Sequence, residues 1–262
     1  MASYTSAWLV GSVKDASYGV TIAGSAQTIT GDLYLYHPTS ALSLLAAWVT
    51  AATTAGLGSP AAVLTRDRKV KLSNGANFTV TWTNTTLRDL LGFTGNLAAA
   101  SSYTATHVSP LLWSPGKPLM PELSPSGTTG NRRPLAYWTQ SPTDGSPFVV
   151  AHGERIDQRW SVSHVSQARI QTSSEAGGEW ATFFEQCAEK GYSWYVYPSV
   201  AEETGSSTAA TLSNGLGPYV LAVSGRAPSW DFQRARGFEF LDGATKGRNV
   251  LQFGGRIVPE YA

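Results

Sequence analysis

The sequence is short of charge and nearly free of cysteine. Of its 262 residues, 14% are charged, against about a quarter in an ordinary soluble domain. A surface so poor in ions must be finished with Ser, Thr, Gly, Asn and aromatic groups. It can be buried against a neighbouring subunit with few ions to desolvate. The 19 basic and 18 acidic residues leave a net charge of +1, which excludes the global basic field of a nucleic-acid-binding protein. Two small basic knots, Arg66-Asp67-Arg68-Lys69 and Asn131-Arg132-Arg133, read as solvated edges.

The single cysteine, Cys187, excludes an intramolecular disulfide and leaves the fold to stand on its core, as suits folding in a reducing cytoplasm. The start, Met1-Ala2-Ser3-Tyr4, lacks the basic and apolar regions of a signal peptide. The most apolar stretch, 42–55, is broken by Ser and Thr and too short to span a bilayer. No membrane partner is expected.

Catalytic constellations are missing as well. None of His37, His107, His152 and His164 has a second His or Cys at metal-ligand spacing. An approach of His152 to His164 across a hairpin, near Glu154 or Asp157, is the arrangement a cryptic hydrolase would need; solvent-facing strand positions are the simpler reading. The carboxylates Glu202, Glu203, Asp231, Glu239 and Asp242 have no reason to converge. There is no Gly-x-Ser-x-Gly elbow, Walker-type loop or dinucleotide fingerprint, and Pro218 blocks a helix start behind Gly215-Leu216-Gly217. Cys187 falls on an apolar helical stripe, where burial raises a thiol pKa. The expectation is no enzyme, no cofactor and no metal.

What the chain holds in excess is aromatic, with 9 Trp, 11 Tyr and 9 Phe. Trp82, Trp180, Phe183 and Phe184 read as core. Trp113, Tyr137, Trp138 and Trp230 stand beside Pro and Gly, where exposed rings serve a subunit interface or a sugar platform.

The predicted class is α+β, mainly antiparallel β, in two sandwich- or barrel-like modules with one helix packed on each sheet. The first module, 1–109, has a strand over 28–36. A helix over 40–55 follows, started by Pro38-Thr39-Ser40 and striped by Leu42, Leu45, Val49 and Ala52, with Gly56 as its stop. Alternation on both sides of Asn74-Gly75 predicts a hairpin over 67–82. Thr85-Thr86 caps a short helix through Leu87, Leu90 and Leu91. Residues 110–147, with eight prolines, form an extended arm that packs on its own surface or a neighbour's. The second module, 148–262, has strands at 148–151 and 155–170. A helix over 178–190 stops at Gly191 and leads into an aromatic strand over 192–197. A loop over 199–217 follows, then strands at 218–224, 236–241 and 247–258.

The second module resembles the tail-tube and distal-tail proteins of tailed bacteriophages. The likeness rests on Trp180-Ala181-Thr182-Phe183-Phe184, Gly191, Tyr192-Ser193-Trp194-Tyr195-Val196-Tyr197-Pro198 and the closing run Asn249 to Val258. Phe78-Thr79-Val80-Thr81-Trp82 and Leu90-Leu91-Gly92-Phe93-Thr94-Gly95 have the same flavour. The resemblance implies a structural virion protein, made in the host cytoplasm, that forms a threefold or sixfold homo-oligomeric ring. Two modules joined by an arm favour a distal-tail, baseplate-hub or other minor tail component over plain tail tube. Its partners would be other copies, other phage tail proteins, and DNA passing through a channel without sequence-specific binding. Trp113, Arg132, Arg133, Tyr137, Trp138 and Trp230 are the expected interface residues. A virion-surface decoration or carbohydrate-binding protein is the alternative.

Overall fold

The first strand, β1 (Trp8–Ile22), changes its burial pattern halfway along. Residues 8–13 are all buried, whereas from Lys14 onward buried Ala16, Val20 and Ile22 are separated by more exposed positions. A strand covered on both faces reads as a continuous run; one with a wet face alternates. The computed structural model describes residues 7–114 in full. Beyond them it describes 120–121, 131–140, 147–165, 182–183, 186–187, 190–197, 200–201, 211–212, 215–221, 223–224, 227–228, 230–234 and 249–257, many as backbone alone.

Ala23 and Gly24 turn β1 into β2 (Ser25–Tyr34). Their φ values of 48° and 82° are the positive pair a two-residue hairpin demands. The helix α1 (Leu44–Thr54) starts later than the sequence suggests. Ser40–Leu42 forms a 3₁₀ turn, and Ser43 is the cap, its Oγ accepting from Ala46 N–H at 3.3 Å. The buried face of α1 is Leu44, Leu45, Trp48, Ala51 and Ala52. The predicted stripe through Leu42 and Val49 is therefore rotated, because the fully buried Trp48 sets the orientation. Gly56 ends the helix with φ 92°.

The predicted hairpin at Asn74-Gly75 is a correction. β4 (Lys69–Thr81) runs straight through that pair, and its hairpin partner is β3 (Ala61–Leu64). The chain turns at Thr65–Arg68 instead, where Arg68 has φ 62° and donates its N–H to Thr65 O at 2.9 Å. After α2 (Thr85–Leu90), capped by Asn84 through a 3.2 Å bond from Leu87 N–H, comes β5 (Leu97–Val108). Its register with β4 jumps between Ser73 and Phe78, so Asn74-Gly75 lies in a bulge. Two groups hold the bulge. Ser59 Oγ accepts from Gly75 N–H, and the Tyr103 hydroxyl accepts from Ala100 N–H at 2.7 Å while donating to Phe78 O. Tyr103→Phe should therefore cost about 1–3 kcal/mol, read as a lower urea midpoint at unchanged m-value.

The second half is built from β6 (Leu112–Trp113), β7 (Met120–Pro121), β8 (Asn131–Gln140), β9 (Pro147–Val165) and β10 (Trp194–Tyr197). There follow β11 (Val200–Ala201), β12 (Thr211–Leu212), β13 (Leu216–Leu221), β14 (Val223–Ser224), β15 (Ala227–Pro228), β16 (Trp230–Arg234) and β17 (Asn249–Ile257). Two pairs, β11 with β12 and β14 with β15, stand apart; the first of them lies inside the predicted loop over 199–217. The other described strands form one 13-stranded sheet, antiparallel at every pairing between named strands. The class is thus mainly antiparallel β with few helices. Residues 236–241 and most of the predicted helix over 178–190 lie outside the described residues. Gly191, at φ 67°, is followed by a 3.1 Å bond from Tyr192 N–H to Gln186 O, which closes the preceding turn as a stop should. No helix among the described residues is long and apolar enough to cross a membrane.

β1 belongs to both halves. Trp8 to Gly11 pair with Tyr197 to Trp194 of β10, and Leu9 and Val10 pair also with β6. Farther along, the same strand pairs with β2 and β4. The hydrogen-bonded sheet therefore crosses from 1–109 into 148–262 without a break.

Candidate functional site

The expected interface residues fall into two groups. Trp113 belongs to the interior. It is 2% exposed, and its ring stands edge-on to Phe183 at 5.0 Å. Phe183 stands in turn edge-on to Trp194 at 5.2 Å. Gly11 lies beneath the indole, and a Cβ there would come within 2.5 Å of it. The packing of Trp113 is on the chain's own surface. The signal for this was in the sequence, since Leu111-Leu112-Trp113 is an apolar run before the prolines thicken.

The remaining candidates lie on strands. Arg132 and Arg133 of β8 sit opposite Ile156 and Arg155, and Tyr137 and Trp138 sit opposite Val150 and Val149. Trp230 of β16 sits opposite Phe253 of β17. β8 pairs only with β9 among the described residues, and the β9 segment 147–156 pairs only with β8. Together they make a two-stranded ribbon running on from the body of the sheet. Pro134 is tolerated there because the strand is an edge and its register shifts beside that residue.

The strand reading of 148–151 and 155–170 as two segments is also corrected. β9 is one strand from Pro147 to Val165 and carries both His152 and His164. At about 3.3 Å per residue their backbones stand roughly 40 Å apart, so the pair does not meet across a hairpin. Cys187 is buried, and burial pushes its thiol well above the ordinary value.

Sequence reasoning missed an aromatic seam where the two halves meet. Tyr34 and His37, at the end of β2 and just after it, pack against Tyr195 with ring centroids 4.9 Å away in each case. Tyr36 lies 5.8 Å from Tyr197. The Tyr34 hydroxyl meets Ser193 Oγ at 2.8 Å, and Ser193 Oγ lies 3.1 Å from Ser12 Oγ. Thr39 N–H donates to His37 Nδ1 at 3.0 Å. The run Tyr34-Leu35-Tyr36-His37 mirrors Tyr195-Val196-Tyr197, and that shared alternation of tyrosines was the available signal.

Burial, with Tyr36 and Tyr34 nearby, drives the Tyr197 hydroxyl far above the usual tyrosine value of 10.0. Burial also raises Tyr219 and Tyr18. A folded pKa above the unfolded one means stability is intact below about pH 10 and falls as pH climbs beyond it, because only the unfolded chain ionises there. The urea midpoint should be flat near pH 8–9 and drop above about pH 10. The Tyr197 hydroxyl meets no hydrogen-bond partner among the described residues, so Tyr197→Phe should be close to neutral at pH 7 and flatten that drop.

No protein family matches the chain, and neither does any curated protein or solved structure.

Proposed function

We propose that this chain is a structural subunit of a bacteriophage tail, forming a ring at the tube, its distal end or the baseplate through contacts between copies. In this reading 1–109 and 148–262 act as two sandwich-like modules of one subunit. The observation that carries it is the β8–β9 ribbon. A two-stranded hairpin alone is marginally stable in water, and this one bears Arg132, Arg133, Tyr137 and Trp138, residue types enriched where partners meet. In a ring, the neighbouring subunit packs against this ribbon and stabilises it. The charge-poor composition and the segments resembling phage tail proteins support the same conclusion.

The test is the state of the purified full chain by sizing and negative-stain electron microscopy. Threefold or sixfold rings are expected, and Trp138→Ala combined with Arg132→Glu and Arg133→Glu should disperse them into folded monomers. A monodisperse wild-type monomer that binds glycans on an array would overturn the proposal in favour of a carbohydrate-binding role.

A further inference from the structure

The first half of the chain ends in two open strand edges. Among the described residues β5 pairs with β4 on one side and with no strand on the other, and β2 pairs with no strand but β1, only its last residue, Tyr34, bridging to Ser43. Free edges are templates for pairing, and proteins that must stay monomeric blunt them with charge or proline. β5 has neither: Leu97 to Val108 reads LAAASSYTATHV. Its exposed positions Ala98, Ala99, Ser101, Ser102, Thr104 and Thr106 are all small and uncharged. Its far end is occupied, since Lys69 Nζ donates to Thr106 O and His107 N–H to Gly92 O.

The open side of β2 borders a groove. Its walls are β2 and α1, it encloses about 370 Å³, and it is lined by Thr28, Thr30, Ala47, Thr50, Ala51 and Thr54 among others. No lining residue carries a charge. The Thr50 and Thr54 hydroxyls donate back to Ala46 O and Thr50 O, which leaves the wall a surface of methyls and oxygen lone pairs. Such a groove suits an extended segment whose side chains are Ala, Ser and Thr. A charged side chain would find no ionic partner in it.

We propose that β5 of one copy adds to the open edge of β2 of the next, with its small residues seated in the groove beside α1. This inference rests on the assembly reading above and names the surfaces that carry it. The two edges differ, so the contact is head-to-tail and propagates until a ring closes. Each interface then continues one sheet from subunit to subunit, and backbone hydrogen bonds supply the attraction that the missing charges do not.

Single-cysteine pairs test it directly, because the native Cys187 is 3% exposed and does not compete. Full-length Thr28→Cys is mixed with Ser101→Cys or Ser102→Cys and oxidised mildly; two neighbouring β5 positions are used because successive residues face opposite sides. A disulfide-linked dimer is expected in a mixture and in neither variant alone. Oligomers on sizing without cross-linking would overturn the edge contact while leaving assembly standing. Cross-linking of a single variant alone would replace the head-to-tail contact by a symmetric one. Monomers on sizing with no cross-link would overturn both this contact and the assembly reading.

Discussion

Gly92→Ala is expected to lose about 2–6 kcal/mol of stability, much of what a domain of this size has to lose. Gly92 serves two neighbours at once. At φ 80° it ends α2 in the left-handed region, where Gly92 N–H donates to Asp89 O and Phe93 N–H to Arg88 O, each at 3.0 Å. Its carbonyl accepts from His107 N–H at 2.9 Å, and its Cα faces β5 so closely that an added Cβ would overlap His107 O. That obstacle is backbone, which cannot swing aside as a side chain can. Gly95→Ala is the control, since a Cβ there meets nothing within 4 Å; it should change the urea midpoint by less than about 0.5 kcal/mol equivalent.

The second large effect concerns Trp113. Truncating a buried tryptophan to alanine costs about 3–5 kcal/mol, and here it would open a cavity between Gly11 and Phe183. Trp113→Phe should lose less. It keeps the edge-on contact and removes an indole N–H that has no acceptor among the described residues. The order expected in a urea titration is wild type, then Phe, then Ala. An equal loss for Phe and Ala would mean that Nε1 makes a bond after all. Loss of assembly in Trp113→Ala would therefore report on folding. Interface claims are better read from Trp138 and the two arginines on β8.

Much of the architecture was legible because burial writes directly into residue pattern. The alternation in β4, the leucines of α2, the glycine stop at Gly56 and the aromatic density of β10 each point to the element found. The misreadings share a cause. Asn74-Gly75 fits both a tight turn and a bulge, and the choice was made by Ser59 and Tyr103, which lie remote in sequence. The stripe of α1 was misphased because the position of Trp48 depends on Phe78, 6.1 Å away between ring centroids. The strand pattern breaks at 152–154, yet β9 continues through those residues, paired with β8 on one segment and β17 on the other. The rule that proline and glycine neighbours mark loops fails for Trp113, Tyr137, Trp138 and Trp230, which all lie on strands, and it does not separate buried from exposed. Trp113 shows its limit.

The double membership of β1 also bears on how the protein is made. Ser12 bonds to Ser193, a partner 181 residues away in sequence, and its neighbours Trp8 to Gly11 wait for β10. At 5–20 residues per second the ribosome needs roughly 10–40 s to deliver that partner. Throughout that time the buried start of β1, Trp8 to Gly11, has emerged without its mate. Completion of the fold is thus set by the arrival of the last third of the chain. A nascent chain arrested before Trp194 should expose Trp8, Leu9 and Val10 to chaperones and proteases, and release of the full chain should hide them together.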